Sequence, residues 1–341
     1  LTSELVREVL DEYGSATKSR LLDYLPDAEP RRYLYDLCGD YPRRGGRGMR
    51  PSLCIAAARA FGRPAADALL TAVSIELMHN AMLIHDDIED ESERRRGLPA
   101  LHVSVGVPLA INVGDALCLL SFRPLLDNQS RLGRDLSLQL LRATERMARE
   151  SAEGQAMELG WRRDNPTDVT EDQYLLMVLK KTCWLATIHP LQAGALIGSG
   201  RRAPLEAIAR FGYLLGTAFQ IQDDLLNLVG DEASYGKELA GDIYEGKRTL
   251  MLIRLFALAT PDERSRLREF LGLPREARSE ADVRWVLSRM NAYACVEHAR
   301  CVAQALAGAA RHECELAFGA LKDSRDKRFL QALPSWVIQR N

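Results

Sequence analysis

Two stretches decide how this chain reads: Leu83-Ile84-His85-Asp86-Asp87-Ile88-Glu89-Asp90 and Phe219-Gln220-Ile221-Gln222-Asp223-Asp224-Leu225-Leu226-Asn227. Each sets adjacent carboxylates among Leu, Ile and Phe at a spacing that suits a helix. Asp86 and Asp90 stand four residues apart and Asp87 and Asp90 three apart, so on a helix their carboxylates share a face. Carboxylates carried into apolar surroundings cost too much to leave unpaired. A hard divalent cation such as Mg²⁺ is the natural partner, and Mg²⁺ held by few carboxylates is usually held together with substrate phosphates. The bland alternative is a solvated acidic face. Ala81-Met82-Leu83-Ile84 before the first cluster, and Leu225, Leu226, Leu228 and Val229 around the second, argue against it. Glu89 reads as an exposed bystander.

Outward from these clusters, apolar residues recur at helical spacing, as in Leu69-Leu70-Val73-Leu77 and Leu175-Leu176-Leu179, while alternating strand-like runs are scarce. The fold class is therefore all-α. Thr170-Glu171-Asp172-Gln173 and Thr260-Pro261-Asp262-Glu263 have the form of capping boxes and predict helix starts. Breaks fall at Tyr41–Gly46, Gly62-Arg63-Pro64, Asp164-Asn165-Pro166 and Gly272-Leu273-Pro274. None is long enough to be an interdomain linker. The reading is one domain over residues 1–341, a large bundle of about ten or more helices.

Composition excludes several classes. A net charge of -2 gives no reason to expect a nucleic-acid partner. The seven cysteines are odd in number and scattered, which suits free thiols in a reducing cytoplasm better than a disulfide framework. The uncharged run Thr182–Ser199 contains His189, Pro190 and Gln192 and reads as a core helix, so no transmembrane segment is expected. Leu1 in place of Met leaves a trimmed leader open. Cys295, His298 and Cys301, with His312 and Cys314 beyond, invite a zinc reading, but on a helix residues 295 and 301 lie well apart around the axis. There is no nucleophile elbow and no dinucleotide fingerprint.

Cations complement the acidic clusters: Arg94-Arg95-Arg96, Lys180-Lys181, Lys237, Lys247-Arg248, and Arg47 and Arg50 within Gly45-Gly46-Arg47-Gly48-Met49-Arg50-Pro51. Any one of them alone is ordinary surface. Beside two metal-type clusters they point to a site for more than one phosphate group.

Taken in order, these motifs resemble those of the trans-isoprenyl diphosphate synthases (polyprenyl synthetases), from Gly45 to Thr249, and most nearly the geranylgeranyl diphosphate synthases. Asp86, Asp87, Asp90, Arg95 and Arg96 match the family's first aspartate-rich motif with its Arg pair. Gly45–Pro51 is similar to its Gly-Gly-Lys-x-x-Arg-Pro loop, with Arg47 in the Lys place. Glu76-Leu77-Met78-His79 is similar to its Glu-x-x-His segment, and Lys181-Thr182 to its Lys-Thr pair. Phe219, Gln220, Asp223, Asp224 and Asn227 match the second motif, with Asn for its last Asp. Gly236-Lys237 and Asp242-Ile243-Tyr244-Glu245-Gly246-Lys247 complete the set.

The resemblance implies a helical bundle of the isoprenoid synthase type around a central cavity, a cytoplasmic location and a homodimer. It implies Mg²⁺, three ions with the bound diphosphate, on Asp86, Asp87, Asp90, Asp223 and Asp224. The implied substrates are isopentenyl diphosphate and an allylic diphosphate (dimethylallyl, geranyl or farnesyl). Arg95, Lys181 and Lys247 would meet the allylic diphosphate side, Arg47, Arg50, His79 and Arg96 the isopentenyl diphosphate, and Lys237 would also bind substrate. Thr182 and Gln220 would steady the carbocation, and the departing diphosphate would take the final proton. Product length would be set by Met78, Ala81 and Met82 below the first motif, where a rise of about 1.5 Å per residue gives roughly one isoprene unit per turn. Ala81 leaves that floor open, so a C20 product is expected, with C25 or longer as the alternative. A class I terpene cyclase and a non-catalytic synthase subunit are the rivals. Asn227-Leu228-Val229-Gly230 does not fit a cyclase's second motif, and the Asp pairs and lysines a non-catalytic subunit would lose are present.

Overall fold

A computed structural model describes residues 2–199, 202–229 and 240–340. Its described residues are helical almost throughout, apart from a two-stranded ribbon pairing Arg94-Arg95 with Leu98-Pro99. Both capping boxes form: the Thr170 hydroxyl accepts the Gln173 N–H, the Thr260 hydroxyl accepts the Glu263 N–H, and each third-position side chain reaches back. These contacts satisfy backbone donors that would otherwise be orphaned at a helix start.

The first acidic cluster ends the helix Ala65–Glu89, which begins just after Pro64 and stops at Asp90. By length and composition this helix could cross a membrane, but other helices enclose it and 67% of its most apolar window is buried. Val107–Leu132 passes the same test with only 39% of its window buried, leaving an apolar outward face. The second acidic cluster lies near the end of Leu205–Val229.

Between these two helices runs a continuous rod: Glu171–Val178, then a π-helical turn at Leu179–Ile188, then His189–Ser199. The expected core helix is thus the second half of a longer element. A π turn widens the backbone and displaces carbonyls from their usual i→i+4 partners, and here it carries Lys181 and Thr182. The long helix Arg134–Asp164 packs close against it. At Gly154 an added Cβ would stand 2.1 Å from the Lys181 backbone nitrogen, so only glycine permits the approach.

One core gathers Leu53, Ile55, Leu191, Phe211 and Phe329 from both halves of the chain. A second packs Ile221 and Leu225 against Leu252, Phe256 and Ala299. Each such side chain contributes roughly 1.5–3 kcal/mol on burial, and together they hold the two acidic helices as rigid walls of one cleft. All seven cysteines are free thiols. Cys295 is buried and Cys301 exposed on one helix, and His298 Nε2 lies 2.9 Å from Glu171, so the Cys-His spacing serves packing.

Candidate active site

The carboxylates of the first acidic helix divide by direction. Asp86 and Asp90 face the cleft with side chains 27% and 15% exposed. Asp87, one residue on, points into the protein and is fully buried. Arg95 Nε lies 2.9 and 3.0 Å from its two oxygens, and the Tyr41 hydroxyl donates to Oδ2 at 2.5 Å. Arg95 also reaches Asp86 at 3.6 Å. Asp90 is paired with Arg162 from the long helix. Burial, then the charge of Asp86, pushes Asp90 up to about 7 against the pull of Lys181 and Arg162.

Lys181 crosses the cleft from the π turn. Its ammonium stands 3.2 Å from Asp86 and pairs with the buried Glu158. Burial opposes its charge, but Glu158, Asp86 and Asp90 outweigh burial and hold its pKa well above the ordinary lysine value. Next to it, the Thr182 hydroxyl donates to Gln220 Oε1 at 2.9 Å, and Gln220 Nε2 donates to Asp224 at 2.9 Å. The Gln220 amide is therefore oriented from both ends, with its oxygen toward Thr182.

The second cluster repeats the division. Asp223 is partly exposed and pairs with Arg340 at 2.5 Å. Asp224 is buried, accepting from the Tyr174 hydroxyl at 3.0 Å, from Lys247 at 3.0 Å and from Gln220. Burial disfavours the Lys247 ammonium, yet Asp224 and Asp242 raise its pKa well above normal. Asn227 is also buried, and its Oδ1 accepts the Asp242 N–H at 3.1 Å, which ties the helix Gly241–Glu245 to the second motif. Arg248 fixes the loop that carries Lys247: it donates to the Gly246 carbonyl at 2.7 Å and to Asn165, and burial, then Arg278, draws its pKa down to about 10.

Beside this cleft opens a cavity of about 370 Å³ lined by Arg47, Arg50, His79, Arg96, Arg340 and the face of Phe219. Arg47 and Arg50 flank Gly48, which begins the helix Met49–Ala60 from a left-handed conformation at φ 62°. The Arg340 guanidinium sits 4.2 Å from the Phe219 ring centroid. Burial, then Arg50, draws His79 down to about 4, so its imidazole is neutral at pH 7. Burial, with Arg96 alongside, brings Arg50 down to about 10, still protonated at neutral pH. Five arginines, these four and Arg95, outnumber the carboxylates of Glu76 and Asp223 in the same wall and make an anion site.

The sequence groups Asp87 and Asp224 with the metal ligands, whereas the structure buries both and surrounds their oxygens with protein donors. Arg47, Arg50, His79 and Arg96 come together as expected, and Arg95 turns inward to Asp87. Lys237 lies outside the described residues. Met78 and Met82 pack with Met147, Leu185, Cys118 and Phe122, while Ala81 packs in a neighbouring cluster with Leu77, Ile84, Val113 and Leu117. Sequence reasoning misses Tyr41, Glu158, Arg162, Tyr174 and Arg340. Only Glu158 leaves a signal: it lies four residues after Gly154 on the face that meets Lys181.

Two acidic helix ends across a cleft, each answered by a half-buried lysine, with a guanidinium-lined cavity alongside, are what ionising one diphosphate beside a second requires. The polyprenyl synthetase family model matches residues 31–290. The chain is 33% identical over 335 residues to a short chain isoprenyl diphosphate synthase of Methanothermobacter thermautotrophicus, covering 98% of each. It is 31% identical over 341 residues to a geranylgeranyl pyrophosphate synthase of Geoglobus acetivorans, covering 99% of this chain and 100% of that one. The crystal structure of geranylgeranyl pyrophosphate synthetase from Pyrococcus horikoshii superposes with a TM-score of 0.86 at 29% identity, covering 99% of both chains. Names among similar chains run on to octaprenyl diphosphate synthase, so the comparisons establish the reaction class and not the product length. The fold is accordingly the all-α isoprenoid synthase fold, and the chain belongs to the polyprenyl synthetase family as a trans-prenyltransferase.

Proposed function

We propose that this enzyme condenses isopentenyl diphosphate head to tail with an allylic diphosphate (dimethylallyl, geranyl or farnesyl) and releases geranylgeranyl diphosphate, C20. The observation that carries the reading is the pairing of two unlike anion sites, the carboxylate cleft and the cavity of Arg47, Arg50, His79, Arg96 and Arg340. A cyclase working on one diphosphate has no use for the second. The whole chain, residues 1–341, is read as one synthase domain.

Asp86, Asp90 and Asp223 present carboxylate oxygens to the cleft and fit Mg²⁺, three ions with the bound diphosphate. Among the described residues no three ligating side chains converge on one point, so diphosphate oxygens and water would complete each shell. Bound Mg²⁺ supplies charge neutralisation that turns the diphosphate into a leaving group. Asp87 and Asp224 brace instead, holding Arg95 and Lys247. Lys181 and Lys247 stay protonated and meet the charge that develops on the allylic diphosphate. Thr182 and the oriented Gln220 oxygen turn electron-rich atoms toward the allylic cation. The cavity side holds isopentenyl diphosphate so that its alkene faces that cation, and the departing diphosphate accepts the proton lost at the end.

The C20 length rests on Met82 one turn and Met78 two turns above Asp86, backed by Met147, Leu185 and Phe122. Flexible thioethers can shift around a growing chain. Ala81→Phe is expected to shorten the product, and an unchanged length would remove Ala81 from the pocket.

A homodimer fits the outward apolar face of Val107–Leu132, where Val107, Ile111, Leu119 and Leu126 are 44%, 43%, 72% and 51% exposed.

The test is incubation with Mg²⁺, isopentenyl diphosphate and a C5, C10 or C15 allylic diphosphate, with product length read by chromatography. C20 from every primer is expected. Cyclised hydrocarbon from geranylgeranyl diphosphate alone, with no elongation, would overturn the reading.

A further inference from the structure

We infer that Tyr41 is a positioning residue that couples the two diphosphate half-sites, holding the isopentenyl diphosphate side in register with the first acidic helix. Tyr41 precedes the Gly45–Pro51 loop and is fully buried. Its hydroxyl donates to Asp87 Oδ2 at 2.5 Å and accepts the Leu101 N–H at 3.1 Å. Its backbone carbonyl accepts from Arg96 Nη1 at 2.8 Å. Arg44 lies 4.8 Å from the centre of its ring and donates to the Arg95 carbonyl at 3.0 Å. One residue therefore touches the buried carboxylate of the allylic side through its side chain and an arginine of the cavity through its backbone.

The two attachments differ in redundancy. Asp87 keeps both Arg95 contacts if the tyrosine hydroxyl is lost, so Asp86 and Asp90 stay in place. Arg96 is tied less directly: Glu76 of the acidic helix attracts its charge, while among the described residues its side-chain hydrogen bond goes to the carbonyl of residue 41. It adopts a left-handed backbone at φ 53° and is held through the carbonyl of residue 41. Untethering residue 41 frees Arg96 and the adjoining loop to drift while the acidic helix holds. A drift of that kind weakens one substrate and spares the other.

The inference rests on the reading that the Arg50–His79–Arg96 cavity takes isopentenyl diphosphate. Because coupling between sites is reciprocal, it also requires that an allylic analogue and isopentenyl diphosphate strengthen each other's binding through this residue.

The test compares wild type with Tyr41→Phe, which removes one oxygen. In Tyr41→Phe the KM for isopentenyl diphosphate is expected to rise about tenfold. The KM for the allylic diphosphate, the Mg²⁺ half-saturation point and kcat should each change less than about threefold. By calorimetry, a non-reactive allylic thio-analogue should tighten isopentenyl diphosphate binding to wild type and lose that effect in the variant. A purely structural tyrosine would lower the melting temperature and move both KM values together, or neither, and either result overturns the coupling role. Should Tyr41→Phe fold poorly, Arg44→Met removes the ring clamp together with the hydrogen bond to the Arg95 carbonyl and the Asp40 ion pair, and is expected to raise the same KM by a smaller factor; an unchanged KM there overturns it too. His79→Ala separates the two ideas: if it leaves the isopentenyl diphosphate KM untouched, the reading of the cavity has failed and the coupling falls with it, whereas a raised KM in His79→Ala beside an unchanged one in Tyr41→Phe overturns the coupling alone.

Discussion

The two acidic motifs look like near copies in sequence and do different work in the structure. Both place their first Asp in the cleft and bury the second: Asp86 and Asp223 face outward, and Asp87 and Asp224 are enclosed by Arg95 and Tyr41, or by Lys247, Tyr174 and Gln220. They part at the third position. Asp90 returns to the cleft beside Asp86 and is pushed up to about 7 by burial and that neighbour. Asn227 turns away and pins the Asp242 backbone. The first motif thus crowds a third carboxylate beside Asp86 even with Lys181, Arg95 and Arg162 against it, a charge that an incoming cation would relieve, while the second sets only two carboxylates against Lys247 and Arg340. Metal demand is therefore expected to fall on the first motif, with the second serving to orient.

The sharpest way to break that asymmetry is to neutralise one outward carboxylate in each motif. Asp86→Asn is expected to lower kcat by about a thousandfold, because it touches both Lys181 and the expected metal site. Asp223→Asn should cost at least tenfold less, and equal losses would show two equivalent halves. Gly154→Ala comes next. Its new Cβ would meet the Lys181 backbone at 2.1 Å and displace the lysine that faces Asp86. A misplacement of about 1 Å can cost roughly a hundredfold in kcat. A stopped-flow or single-turnover assay should find the loss in the chemical step, with isopentenyl diphosphate affinity preserved.

Local pattern carries some of this and tertiary packing the rest. Helical period and capping chemistry are properties of neighbouring residues, so the boxes at Thr170 and Thr260 form as written. The π turn over Leu179–Ile188 is not a local preference, since it sits where Gly154 of another helix presses on Lys181. Motif spacing likewise brings Arg47, Arg50, His79 and Arg96 to one cavity. It does not say which Asp of a pair is buried, because adjacent residues on a helix point about 100° apart and packing chooses the face. The partners Tyr41, Arg162 and Arg340 lie far from their carboxylates in sequence, beyond the reach of any periodicity. The raised Asp90 pKa is invisible for the same reason, since it arises when a folded wall removes water.

That pKa gives a pH test of the asymmetry. An Asp held at about 7 in the folded chain, against 3.8 ordinarily, is ionised with difficulty, so its contribution to stability is full below pH 4 and declines as pH rises through 7. Metal binding must release that proton, so Mg²⁺ affinity should weaken as pH falls below 7, by up to about tenfold per pH unit. Calorimetric titration with a non-reactive allylic diphosphate present would measure it. Asp90→Asn should flatten the pH profile and Asp223→Asn should leave its slope intact. A slope that survives Asp90→Asn would place the titrating group elsewhere.

The smallest effect is expected where the sequences of the two motifs differ most. Asn227→Asp restores the family's third carboxylate, and if the motifs were equivalent it would complete a second metal pair. The structure gives that carboxylate other employment. Residue 227 is buried, its side-chain oxygen already accepts the Asp242 N–H at 3.1 Å, and Asp224 lies one turn back on the same helix. An aspartate can keep the backbone hydrogen bond, while the added charge sits near Asp224 and Asp242, both of which already share Lys247. The expected outcome is a change in kcat of no more than about threefold, a slightly lower melting temperature and an unchanged Mg²⁺ half-saturation point. A tenfold fall in that half-saturation point would mean that residue 227 can swing to the cleft and ligate. The distinction between a metal-demanding first motif and an orienting second one would then rest on a single side chain rather than on the packing of the helix that carries it.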